Sequence, residues 1–165
     1  MNSGEGKGTA IVLKNLEYPL KTGGFVIEVD HYGIYDGYGS ILHNCPSAGG
    51  VQKISADTFL KKYFRTAYKS SDSQYILERG LEEGKIILTF PKPEDADKIV
   101  SQANALIGTA YNKLTFNCEH FTRKCFEGVA RSTQVQKYAA LGAVGAGVVG
   151  AGLWWLFSNR DEEQY

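Results

Sequence analysis

The chain has 165 residues, 18 of them basic and 18 acidic, with three histidines, three cysteines and 43% hydrophobic residues. This is enough for one domain with a true core, and the balanced charge carries no electrostatic footprint for nucleic acid. The apolar and charged fractions are those of a folded chain. Cys45, Cys118 and Cys125 form an odd set without a framework of spacings, which argues against a secreted disulfide scaffold.

Residues 1–17 read as a flexible lead. Met1 to Gly8 is polar and glycine-rich with no apolar signal core, and Asn2 follows Met1, so neither a signal peptide nor N-myristoylation is expected. Ile11-Val12-Leu13 is a short apolar run that fits a strand or a docking segment. Tyr18 to Gly24 is turn chemistry. Phe25 to Tyr35 is β-branched and aromatic and predicts a strand, Asp36-Gly37-Tyr38-Gly39 a turn, and Ser40 to Asn44 the returning strand. A hairpin centred on Gly37 places His31 directly opposite His43 on one face, with Cβ atoms roughly 5 Å apart. Cys45 to Gly50 is loop, and Ser55 to Phe64 fits a short helix. Tyr75-Ile76-Leu77 and Lys85 to Phe90 read as strands. Glu94 to Ile107 predicts a helix, with acids in its first turn, apolar residues at helical spacing and Gly108 as its cap. After a loop over 111–116, a second helix starts at Cys118 and runs to Phe126 or Val129, with Phe121 and Cys125 on the side facing the sheet.

Tyr138 to Phe157 is twenty residues without a charge, the length that spans a bilayer core, with Trp154, Trp155 and Tyr138 as interfacial aromatics. Arg123, Lys124, Arg131 and Lys137 precede it. The positive-inside bias therefore predicts a single-pass C-terminal anchor with the folded domain facing the cytoplasm. Gly142, Ala146 and Gly150, and likewise Ala139, Ala143, Gly147 and Ala151, make small-residue seams suited to helix self-association. The expected division is a catalytic domain over 18–133, the membrane helix over 138–157 and a short tail over 158–165.

The chemistry-bearing residues are His31, His43 and Cys118. A cysteine just after an Asn that can cap a helix meets free backbone N–H groups and the positive end of the dipole, which predicts a stabilised thiolate. With an imidazole beside it, such a thiol is a nucleophile, one histidine serving as base and the other orienting it. The residues themselves do not set which histidine is which. His120, two positions after Cys118, points elsewhere on a helix and reads as structural. Cys125 reads as a packed thiol. A zinc site from His31, His43 and a cysteine lacks the paired-cysteine spacing, so neither metal nor cofactor is expected.

His31-Tyr32-Gly33-Ile34-Tyr35, then His43, then Asn117-Cys118-Glu119-His120-Phe121 resemble the signature blocks of the lecithin:retinol acyltransferase-like family, in its phospholipase A/acyltransferase (HRAS-like suppressor) branch. The resemblance covers roughly 18–157. It implies an α+β fold, a circularly permuted form of the NlpC-type papain-like fold, in which an antiparallel sheet packs on helices. It further implies His31 as general base, His43 as the group that orients it, and Cys118 as the nucleophile that carries an acyl thioester. The implied partners are a phospholipid membrane, a lipid acyl donor, and an acceptor that is water, an amine or a hydroxyl. The Cys118 backbone N–H is the candidate oxyanion donor. Two features depart from the family pattern: Gly23-Gly24-Phe25 stands where a Pro-Gly-Asp entry is common, and Cys45 has no counterpart, being either a second thiol near the site or inert. The alternatives are a cysteine peptidase or amidase of the wider superfamily, and a non-enzymatic membrane-tethered regulator.

Overall fold

A computed structural model describes residues 6–19 and 26–136. The expected membrane helix over 138–157 and the tail lie outside the described residues. Among the described residues, no helix is long and apolar enough to cross a membrane.

Five antiparallel strands form one sheet: β1 (Ala10–Pro19), β2 (Val26–Tyr35), β3 (Ser40–Cys45), β4 (Gly50–Ser55) and β5 (Ile86–Thr89), in the order β4-β3-β2-β1-β5. Helices α1 (Ala56–Tyr68) and α2 (Ser73–Glu82) cover one face, and α3 (Ala96–Ala105) and α4 (Cys118–Glu127) the other. Strand alternation divides the core in two. Leu13, Leu16, Tyr35 and Ile41 meet Phe59, Leu60, Phe64 and Ile76, whereas Ile34, Leu42 and Val51 meet Ile99, Val100, Ala103 and Phe121. The fold is thus α+β, with an antiparallel sheet between helices.

Three expectations are corrected and one strand is added. The lead does not extend to residue 17: from Ala10 the chain is β1, an interior strand paired with both β2 and β5, and Leu13 is fully buried. Tyr75-Ile76-Leu77 is not a strand but part of α2. Asp72 caps that helix by accepting from the Gln74 and Tyr75 N–H groups, and only Ile76 and Gly80, one turn apart, are buried. Gly80 is required there because a Cβ would collide with the Ile86 side chain. β4, unread in the sequence, completes a second hairpin with β3. The helix expected over 94–107 divides into a 3-10 turn, Pro93–Asp95, and α3.

The hairpin register is also shifted. Ile34 pairs with Leu42 and Tyr35 with Ile41, so the loop is centred on Tyr38 rather than Gly37. The cause is Asp36: its Oδ1 accepts from the Tyr38 and Ser40 N–H groups at 2.7 and 2.9 Å, while its own N–H donates to the Ser40 carbonyl, closing a wider turn. A shift of two residues keeps every side chain on its face. His31 and His43 therefore still share a face, but as diagonal rather than directly opposed neighbours.

Candidate active site

The β2–β3 ladder is only two pairs long, after which the strands part while β3 remains paired to β4 along its length. The start of α4 lies at this fork. Asn44 of β3 donates from Nδ2 to the Phe116 carbonyl just before the helix, and Cys118 packs against the opposite limb, β2. Asn117 fixes the helix start. Its side-chain oxygen accepts from the Glu119 and His120 N–H groups, both at 3.0 Å, and His120 Nδ1 accepts from the Asn117 N–H at 3.3 Å. His120 is thus half of a capping box, a structural part. Gly128, at φ +73°, ends the helix as a left-handed cap.

The edge of β2 that β3 leaves is closed by side chains. Gln134 accepts from the Asp30 N–H through Oε1 at 3.0 Å and donates to the Asp30 carbonyl through Nε2 at 3.1 Å, so one carboxamide takes the place of a neighbouring strand. The Cys118 thiol donates to the same carbonyl at 3.8 Å, and the Tyr32 N–H bonds the sulfur. The nucleophile candidate therefore rests on the two peptide groups that flank His31.

Glu119 ties this edge to the chain after α4. Its side chain is fully buried and accepts from Ser132 and Thr133 hydroxyls, both at 2.6 Å, from the Gln134 N–H at 3.2 Å and from Arg123 Nε at 3.1 Å. Burial pulls its pKa up, but the Ser132 and Thr133 hydrogen bonds outweigh that and hold it at about 2.

On the α1 face, His31 Nε2 lies 2.9 Å from His43 Nδ1, and His43 Nε2 lies 3.0 Å from Gln52 Nε2. Gln52 sits directly opposite His43 in the β3–β4 ladder. Phe59 and Tyr63 of α1 pack on the His31 ring, with centroids 5.6 and 4.7 Å away. Both imidazoles are neutral. Burial, then the neighbouring His43 and Lys62, take the His31 pKa well below the usual 6.5. Burial and Lys62 bring His43 to about 4.

The expected resting thiolate is corrected. Burial pushes the Cys118 thiol up to about 12, outweighing the Tyr32, Glu119 and Cys118 backbone N–H groups that favour the anion. At rest the Cys118 thiol and the His31 imidazole are each neutral. Cys45 differs: burial raises its pKa, but the Ser47 hydroxyl at 3.1 Å and the Lys62 ammonium at 3.4 Å bring it below the usual thiol value. Cys125 is a packed thiol in the α3–α4 core, pushed up to about 12 by burial.

The structure brings His31 and His43 into hydrogen-bond contact and sets Cys118 against the backbone on either side of His31. It adds Gln52, Gln134 and Glu119, to which sequence reading gave no role. Gln52 was legible in principle, since reading 50–55 as a strand returning from the 46–49 turn pairs it with His43. Nothing in the sequence signals Gln134, whose partner lies 104 positions away.

A buried cysteine at a capped helix start, set against a strand whose histidine is hydrogen-bonded to a second, is a candidate thiol–histidine site on an α+β sheet. A family model described as lecithin retinol acyltransferase matches residues 24–131, and the chain belongs to that family, in its phospholipase A and acyltransferase branch. Phospholipase A and acyltransferase 3 of Mus musculus is 30% identical over 145 residues, covering 81% of this chain and 85% of that protein. Phospholipase A and acyltransferase 2 of Homo sapiens is 29% identical over 147 residues, covering 81% and 86%. Phospholipase A and acyltransferase 5 of Rattus norvegicus is 28% identical over 131 residues, covering 76% of this chain and 44% of that protein.

Proposed function

We propose that this protein is a thiol acyltransferase and phospholipase A that takes acyl chains from glycerophospholipids through a thioester on Cys118. The observation that carries the reading is the thiol's seat on the peptide groups flanking His31, whose Nε2 is engaged by His43, leaving Nδ1 as the ring nitrogen for the thiol proton. Family membership and the relatives' names support the substrate class.

Because thiol and imidazole are both neutral at rest, the proton leaves sulfur as sulfur attacks. His31 Nδ1 accepts it, the S–C bond forms and the ester carbonyl becomes an oxyanion. The Cys118 N–H, outside the pair of N–H groups taken by the Asn117 side chain, is the proposed oxyanion donor. Collapse breaks the ester C–O bond, and the lysophospholipid oxygen takes the proton back from His31. Water, an amine or a hydroxyl then receives the acyl group by the same steps in reverse. His43 orients His31 and shares the positive charge it acquires.

The uncharged run over 138–157 supports residence at a phospholipid surface, as a C-terminal anchor with the domain on the cytoplasmic side and its small-residue seams available for self-association. The test is incubation of the purified chain with phosphatidylcholine vesicles. The expected result is release of fatty acid and lysolipid, with an intact-mass increase of one acyl group on Cys118, and neither in Cys118→Ala. Equal release by the variant, or a peptide adduct on Cys118 in place of an acyl chain, overturns the reading.

A further inference from the structure

His43 has two ring nitrogens, and both are engaged: Nδ1 by His31 at 2.9 Å and Nε2 by Gln52 at 3.0 Å. The three side chains form one line of hydrogen bonds from half-buried Gln52 to buried His31. A neutral imidazole carries one N–H, so each link in such a line dictates the next. With the Gln52 amide nitrogen facing His43, Gln52 donates, His43 Nε2 accepts, His43 Nδ1–H donates to His31 Nε2, and the single hydrogen of His31 lies on Nδ1. In that state His31 offers the thiol a donor and cannot serve as base.

A carboxamide turned end for end fills the same space with oxygen and nitrogen exchanged. With the oxygen facing His43, every bond in the line reverses. His43 Nε2–H donates to Gln52, His43 Nδ1 accepts from His31 Nε2–H, and the Nδ1 lone pair of His31 is left for the thiol proton. Both states satisfy every hydrogen bond between these groups, so packing does not choose between them and the outermost acceptor does.

We propose that Gln52 is a positioning residue that sets the tautomers of His43 and His31, its carboxamide oxygen holding the line in the state where His31 Nδ1 is a base. The role rests on the Cys118–His31 reading above. Gln52 touches neither the thiol nor the acyl group; it acts through His43, and its orientation decides whether the site is competent.

The test uses the full chain labelled with 15N-histidine, assayed on phosphatidylcholine vesicles, with Gln52→Leu and Gln52→Glu. Gln52→Leu removes both donor and acceptor. Its kcat falls at least about tenfold with KM within about twofold, and its His43 15N shifts move away from the Nε2–H pattern. Gln52→Glu presents acceptors only, so it restores kcat to within about threefold of the parent and displays His43 in the Nε2–H form. Full kcat in Gln52→Leu overturns the proposal. A fall in kcat without a change in the histidine 15N shifts, or without rescue by Gln52→Glu, also overturns it, because that is the behaviour of a merely structural residue. Failure of the underlying function reads out separately: turnover surviving Cys118→Ala sinks the nucleophile assignment, while the 15N shifts of the Gln52 variants report the tautomer with or without turnover.

Discussion

Replacing Glu119 tests how Cys118 is held. The carboxylate is the hub for two hydroxyls, one backbone N–H and one guanidinium, and through Ser132 to Gln134 it presents the carboxamide that caps the open edge of β2 at Asp30. Glu119→Ala strands the Ser132 and Thr133 hydroxyls and the Gln134 N–H and leaves Arg123 with Glu127 alone. Arg123 is part-exposed and keeps Glu127, so the full cost of breaking a buried ion pair does not apply; the lost charge-assisted hydrogen bonds to Ser132, Thr133 and Gln134 set the loss, about 2–4 kcal/mol. Glu119→Gln keeps the shape and one acceptor oxygen, so about 1.5–3 kcal/mol is expected. Urea unfolding gives the stability change, and amide hydrogen exchange at Asp30 reads the local consequence. Protection at Asp30 should fall further than the global change, because its N–H partner is delivered by the segment Glu119 secures. A loss below about 1 kcal/mol in Glu119→Ala, or Asp30 protection unchanged from the parent, refutes the reasoning.

Asn117→Ala removes the acceptor for the Glu119 and His120 N–H groups, and a cost of about 1–2 kcal/mol is expected from urea unfolding, with a larger proportional loss of Cys118 acylation because the same cap sets the thiol's position. Stability should fall as pH drops from about 6.5 toward 4. The unfolded chain binds protons at His31 and His43 in that window while the folded chain resists them, so the unfolded state holds more protons and acid favours it. His43 alone contributes about 3 kcal/mol once both states are titrated, and a flat urea midpoint between pH 7 and 5 would contradict it. Below about 4.5 the fall continues as Glu119 takes over from His43: the unfolded chain protonates this carboxyl while the fold keeps its charge down to about pH 2, and the His43 contribution fades as that ring is protonated in the fold near pH 4. Cys118 should alkylate slowly at neutral pH in the folded protein, while Cys45, with its lowered pKa, should be the more readily ionised thiol once reagent reaches it; mass mapping after a brief iodoacetamide pulse at several pH values compares the two.

Local chemistry was legible wherever a residue's role depends on its near neighbours. The capped start of α4, its glycine end, the alternation that puts His31 and His43 on one face, and the strand–turn–strand order all follow from short-range rules, and each is present in the fold. Family resemblance rested on the same local blocks. What the sequence could not decide was anything set by approach from a distance. Only Ile11-Val12-Leu13 of β1 offers a strand in sequence and the rest reads as lead, because pairing on both sides is what makes it a core strand. Tyr75-Ile76-Leu77 looked like a strand because three apolar or aromatic residues carry no period, and burial of Ile76 and Gly80 alone reveals a helix face. The register moved by two because the Asp36 side chain enlarged the turn, which the Gly37-centred reading did not include. The state of the thiol is the clearest case. A helix start favours an anion, but burial at the fork between β2 and β3 costs more than the N–H groups return, and burial belongs to the tertiary structure. The sequence by itself singled out His31, His43 and Cys118 and the family they resemble. Only the packed fold decided that Cys118 waits neutral against the peptide groups around His31, and that the line of hydrogen bonds behind that histidine runs out to Gln52.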